Sequence, residues 1–137
     1  MNKRRSAGNL IVAAGLFGAA LAGGCGPVQW EYSYEKGMRQ GMQQGRRVLL
    51  HFSSTVSMDC REMDAKVFAD PDVQQLMQKF VAVRLDTVLH QGLAKQFNVQ
   101  TVPTFFVLRP DGQIVGSHVG GLDAEKFRIF LIKYSYN

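Results

Sequence analysis

Only two cysteines, Cys25 and Cys60, occur in the 137 residues, too few for the disulfide framework that staples small secreted domains. Nothing in the sequence positions them together, although a Cys25–Cys60 bridge stays open as a pairing. Histidine is equally sparse. His51, His90 and His118 are far apart and no Cys/His pair shows ligand spacing, so no metal site is expected. A large excess of one charge is also missing. The formal charge is +5, but Lys3, Arg4 and Arg5 supply three of the cations, and beyond them 13 basic residues face 11 acidic ones. Of those only Arg46 and Arg47 are adjacent, which argues against nucleic-acid binding, a function that needs a basic stripe interleaved with aromatics. No apolar run reaches the ~20 residues of a membrane-spanning helix. What remains is a folded protein's composition, 46% hydrophobic and 20% charged, with room for one ordinary domain plus a targeting segment.

The targeting segment is at the start. Residues 1–9 are short and basic, and residues 10–22 are an apolar run rich in Ala, Gly and Leu, the layout of an export signal. Leu21-Ala22-Gly23-Gly24-Cys25 resembles a bacterial lipoprotein box, which makes Cys25 the lipidated first residue of the mature protein. Gly26 follows where an inner-membrane retention signal would usually put aspartate, which leans toward the outer membrane. Cleavage at Ala20-Leu21-Ala22 is the competing reading and would leave a free thiol at Cys25. The expected organisation is a signal peptide over 1–24, a tether over 25–33 and one domain over 34–137.

Within that domain the pattern predicts α and β elements in alternation. Residues 30–44 look helical, with Tyr34, Met38 and Met42 as an apolar stripe and Gly37 and Gly41 on an adjoining line. Residues 48–52 read as a buried strand. A helix follows from the Ser57–Cys60 turn to about Val67, with Met63 and Val67 on one face. Asp70-Pro71-Asp72 opens another, with Val73, Leu76, Met77 and Phe80 inward. Strands are expected over 81–86, 102–108 and 114–118, a short helix over 91–97, and a last helix capped by Asp123 with Phe127, Phe130 and Leu131 buried. The sum is an α/β fold: a mixed sheet of four to five strands with helices on both faces and an extra N-terminal helix.

Three landmarks give this pattern a family. They are the strand-to-helix turn ending in Cys60, the Thr101-Val102-Pro103-Thr104 step into a strand, and Gly120-Gly121 before the last helix. Together they resemble the thioredoxin-like superfamily over roughly residues 34–134. Cys60-Arg61-Glu62-Met63-Asp64 followed by Val67-Phe68-Ala69-Asp70-Pro71-Asp72-Val73 is similar to its bacterial envelope members, including the C-terminal domain of the thiol:disulfide interchange protein. The resemblance implies that Ser57 stands where the family has its nucleophilic cysteine and Val56 where it usually has an aromatic residue. Cys60 then matches the resolving cysteine, and Pro103 the cis proline that faces the redox pair. With Val102, that proline implies a backbone site for extended substrate. His51 falls where many members bury an acid. No cofactor is implied.

Disulfide exchange needs a thiolate to attack and a second thiol to release the mixed disulfide. Ser57 can cap the helix but is not ionised near neutral pH. A hydrolase built on Ser57 with His51 as base lacks a nucleophile-elbow pattern. Cys60 is expected to be a small buried hydrophobe, with Asp59 beside it and Asp64 one turn on along the same face. His51 is expected to be a hydrogen-bonded core residue, and His90 and His118 to be on the surface. Val56, Met58 and Val102 would give the groove an apolar floor on which a peptide adds as a strand. The functional expectation is an exported thioredoxin-like lipoprotein that binds polypeptide clients or an envelope redox partner at a degenerate site. A monothiol oxidoreductase acting through Cys60 is the alternative, and an assembly subunit a third.

Overall fold

In the computed structural model residues 26–136 are described; the leader and Cys25 lie outside them. Eleven elements follow in order. They are β1 (Trp30–Glu31), α1 (Tyr34–Gln44), β2 (Val48–Ser53), α2 (Met58–Glu62) with a π-helical turn over Met63–Val67, α3 (Pro71–Met77), β3 (Val81–Asp86), α4 (Gln91–Gln96), β4 (Thr104–Leu108), β5 (Ile114–Val119) and α5 (Ala124–Ser135). The five strands form one sheet in the order β1-β3-β2-β4-β5. The first three are parallel, while β4 pairs antiparallel to β2 and to β5.

Every residue of β2 is buried, because helices cover both sheet faces and its side chains alternate between them. Val48, Leu50 and Phe52 pack with Val83 and Leu85 beneath α1 and α4. Leu49 joins Met63, Val67, Val73, Phe105, Phe127 and Leu131 on the other side, beneath α2, α3 and α5. Local signals set the helix starts. Asp70 accepts from the N–H groups of Asp72 and Val73 (both 3.0 Å), with Pro71 next in line. Asp123 accepts from Lys126 N–H at 2.8 Å.

Four expectations need correction. Residues 30–31 are not the start of a helix but an edge strand paired with Ala82 and Val83, and they lie inside the stretch read as a tether. The strand expected to begin at 102 begins at Thr104. The helix after Cys60 is not uniformly α. The Phe68 N–H reaches back five residues to the Met63 carbonyl (2.9 Å), giving a π turn. Lastly, α1 does not turn the full Tyr34–Met38–Met42 stripe inward. Met42 is 67% exposed, while Gly37 and Gly41 are buried. A Cβ at Gly41 would come within 2.8 Å of Val48 Cγ2 and 2.9 Å of the Arg46 carbonyl, so α1 approaches the sheet along its glycines. Two residues that cost helix propensity are the ones that allow close packing.

Candidate active site

The end of the sheet where β2 and β3 finish is built from three loops. Ser57 sits between β2 and α2 in extended conformation, and its Oγ accepts a hydrogen bond from the Cys60 N–H at 3.3 Å. That is ordinary N-capping, and it uses the oxygen to hold the turn closed. Cys60, one turn further on, is 2% exposed. It is a free thiol among the described residues. Val56 and Met58 flank Ser57 and point outward, 83% and 76% exposed. The turn is held at its base by Ser57 N–H donating to the Ser54 carbonyl at 3.3 Å.

The second loop enters β4. The Val102–Pro103 peptide is cis, Pro103 is buried and Val102 half-buried. The Val102 N–H and C=O have no hydrogen-bond partner among the described residues. The Pro103 carbonyl accepts from Gly120 N–H at 2.8 Å, which joins this loop to the segment that leads into α5. Gly121 in that segment approaches Asp59 at 3.7 Å from its Cβ position. The structure thus gathers Val56, Ser57, Met58, Cys60, Val102 and Pro103 at one end of the sheet.

The third loop was not singled out from the sequence. Thr87 N–H donates to the Ser53 carbonyl at 3.0 Å, so the β3–α4 connection starts at the same sheet end. Asp86 Oδ1 accepts from the N–H groups of Val88 (2.8 Å) and Leu89 (3.3 Å), which presents both side chains to solvent. Two large apolar residues inside the turn Asp86-Thr87-Val88-Leu89-His90 were the available signal, since a loop with no partner to find has no reason to carry them. His90 and His118 are half-buried rather than free on the surface. No group of three His, Cys, Asp or Glu that could hold a metal exists among the described residues.

His51 is wholly buried, as expected, but it is not hydrogen-bonded. Neither ring nitrogen has a partner among the described residues, because the ring is enclosed by other rings. It stacks on Phe105 (centroids 4.5 Å, planes 18° apart) and meets Phe68 at 5.4 Å and Trp30 at 5.6 Å. Arg84 is its register partner on β3, and its guanidinium lies 4.2 Å from the Trp30 ring. Asp64 ion-pairs with Arg84 at 2.6 Å, so its carboxylate is directed to that cation, not to the Cys60 sulfur. Burial, and secondarily the Arg84 charge, hold the His51 imidazole well below its ordinary pKa of 6.5.

That depression links folding to pH. The folded domain keeps His51 neutral while the unfolded chain binds a proton near pH 6.5. Stability from this residue is therefore complete above that value and is lost as pH falls below it. The expected slope is up to about 1.4 kcal/mol per pH unit. Urea unfolding between pH 7.5 and 5 should show it in the parent chain and not in His51→Leu. An equal slope in both proteins would remove His51 as the cause.

His51 also fails as a base for Ser57. Its nitrogens face aromatic rings, and the Ser57 oxygen is engaged with the Cys60 N–H. A serine so placed is a cap. The arrangement offers an exposed apolar rim around one oxygen, and one buried sulfur beneath it.

A five-stranded mixed sheet with a helix-capping turn and a cis proline at the same end defines a thioredoxin fold. The thioredoxin-like domain family model matches residues 34–135, and the chain belongs to that family. The curated thiol:disulfide interchange protein DsbD of Neisseria meningitidis is 33% identical over 84 residues, 58% of this chain but 14% of that protein. Among solved structures, a thioredoxin from Thermus thermophilus superposes with a TM-score of 0.71 at 28% identity, covering 79% of this chain and 87% of that one. The C-terminal domain of Neisseria meningitidis DsbD in its reduced form gives 0.63 at 25% identity, covering 72% and 91%.

Proposed function

We propose that this chain is an exported, lipid-anchored thioredoxin-like domain that holds polypeptide clients or an envelope partner at the Ser57 turn without turning over disulfides as a dithiol enzyme. One observation carries this reading: the atom at the mouth of the turn is the Ser57 oxygen, hydrogen-bonded as a cap, and the sulfur behind it is buried and unpaired among the described residues. Without a thiolate at the mouth the first attack on a substrate disulfide does not occur. The binding surface is retained. Val56 and Met58 are exposed at the same end of the sheet as Val102, whose backbone is unpaired among the described residues and can accept an extended segment as a short added strand.

Insulin reduction with dithiothreitol tests the proposal. The parent chain should run at the rate of dithiothreitol alone, and catalysis comparable to a dithiol thioredoxin would remove the idea. Client affinity should depend on the rim. Val56→Ser with Met58→Ser is expected to weaken binding at least about tenfold, from lost apolar burial, as read by titration against an extended polypeptide. Anchoring is tested separately. Labelled palmitate should enter the parent chain and not Cys25→Ser.

A monothiol reading is favoured by one feature, the retention of Cys60 at the first turn of α2. Its step would be attack of the Cys60 thiolate on a partner disulfide, giving a mixed disulfide and a released partner thiolate. The 2% exposure of Cys60 opposes this. A covalent adduct trapped in vivo from the parent chain and absent from Cys60→Ser would establish it.

A further inference from the structure

The cations that lie scattered along the sequence are gathered by the fold at the end of the sheet opposite Ser57. Arg46 and Arg47 lead into β2, and Lys79 stands two residues before β3. Arg109 follows β4, whose Leu108 pairs with Val48 at the start of β2. Lys133 is in the last turn of α5, and the Tyr134 carbonyl there accepts from Arg47 Nη1 at 3.0 Å. Against these five cations stands one carboxylate side chain among the described residues, Asp111, which is 3.6 Å from Arg109. Glu31 lines the same cleft as Arg46, and its carboxylate is occupied in accepting from Tyr32 and Ser33 N–H and from the Gln40 amide. Outside the leader, the rest of the chain is left with eight basic and ten acidic residues. The domain is therefore polar in charge along its strand direction.

The same end exposes large apolar side chains. Met42 is in the last turn of α1, Ile114 is the partner of Leu108, Ile132 is in the last turn of α5 and Tyr136 directly follows that helix; all four are about half or more exposed. Lys79 lies over the Tyr136 ring at 4.8 Å. The described chain also begins here. Pro27 and Val28 line a cleft of about 500 Å³ together with Arg46, Gln78 and Phe80, and Arg46 donates to the carbonyls of Gln78 and Phe80 at its wall. Gly26 thus leaves the domain at the basic end, one residue from Cys25.

We infer that this end is a docking surface for an anionic lipid bilayer. Cations attract the headgroup phosphates, and Met42, Ile132 and Tyr136 supply the side chains that enter the interface beside them. A second copy of the chain fits worse, since an isologous contact would set like charge against like. Nucleic acid gives the apolar side chains nothing to bury against, since the single aromatic among them is already covered by Lys79. The consequence is orientation. The sheet's six-residue strands stand about 20 Å tall, so a domain resting on this end holds the Ser57 turn a strand's length or more above the membrane, facing incoming polypeptide.

The inference rests on the proposed exposure to a bilayer, but its test is separable from that proposal. The full chain is partitioned onto phosphatidylcholine vesicles and onto vesicles containing phosphatidylglycerol, beside the variant Lys79→Glu/Arg109→Glu/Lys133→Glu. These three residues are exposed and hold no part of the core. Lys3, Arg4 and Arg5 of the leader are common to both proteins and cancel in the comparison. At about fivefold per cation near the surface, the parent's preference for anionic vesicles should exceed the variant's by about a hundredfold. In 0.5 M NaCl, where the screening length falls to about 4 Å, the difference should vanish. Equal partitioning of the two proteins assigns the preference to the leader and overturns the inference. So does a lipid-free dimer that the substitutions abolish, or equally tight binding of a DNA oligonucleotide. Palmitate labelling and client affinity should be unchanged in the variant, so failure here leaves the proposed function standing.

Discussion

Ser57→Cys is expected to give this domain the insulin-reducing activity that its parent lacks, at a rate at least about a hundredfold above background, because a thiolate at that position is the nucleophile the chemistry requires. The Cys60 N–H already points at the substituted atom from 3.3 Å, and a donor in that place favours the charged form of a thiol. Residues three apart at the start of a helix have Cβ atoms about 5–6 Å apart, and extended backbone at Ser57 brings such a pair within the reach of a disulfide. The new thiolate would attack a substrate disulfide and release one substrate thiolate. The Cys60 sulfur would then attack the mixed disulfide at the new sulfur and release the other, leaving an intramolecular bridge for dithiothreitol to reduce. Cys60→Ser in the same background should stop turnover at the mixed disulfide, and Ser57→Ala should bind client and turn nothing over. If Ser57→Cys folds, binds client and still fails to reduce insulin, more than one atom separates this site from a working one. The burial of Cys60 would then be the feature to examine.

Much of this site was legible in the sequence because its parts are local. Asp70 and Asp123 announce helix starts through their own side chains, and Ser57 does the same, so positions and roles followed from residue type and spacing. Pro103 and the Gly120-Gly121 break carry backbone geometry in their covalent structure. What was not legible depends on partners distant in sequence. Trp30 and Glu31 are a strand only because Ala82 and Val83 offer an open edge, and two residues have no period to detect. His51 was read as a hydrogen-bonded core residue, yet its neighbours Trp30, Phe68 and Phe105 come from three other parts of the chain. The π turn at Met63 looks like continuous helix, since its apolar spacing fits both. The basic end is the extreme case, since its five cations come from four separate segments and no stretch of sequence beyond the leader is basic.

Gly37 shows how far such a distant partner can reverse a local rule, and Gly37→Ala is expected to destabilise the domain although alanine is the better helix former. A Cβ there would fall inside the van der Waals surface of Val83 Cγ2. Val83 is wholly buried in the centre of β3, packed among Leu50, Leu85 and the side chains of α1, with no free space to turn into. Relief must therefore come from moving α1 away from the sheet, which also loosens Tyr34 and Met38. Overpacking of this kind costs about 1–3 kcal/mol and sometimes more. The gain in helix propensity returns about 1 kcal/mol, leaving a net loss of up to about 2 kcal/mol, or a fall in melting temperature of about 4–8 °C for each kcal/mol lost. Gly92 in α4 is the internal comparison, because a Cβ there meets nothing within 4 Å. Gly92→Ala should show the propensity term alone and stabilise by up to about 1 kcal/mol. Identical substitutions in two helices of one domain then change stability in opposite directions. Adding Val83→Ala to Gly37→Ala should cost less than the two single losses together, since the second change removes the atom with which the first collides. Strict additivity in that cycle, read from urea unfolding, would mean that the helix and not the valine gives way, and that the glycine line on α1 is not what seats it on the sheet.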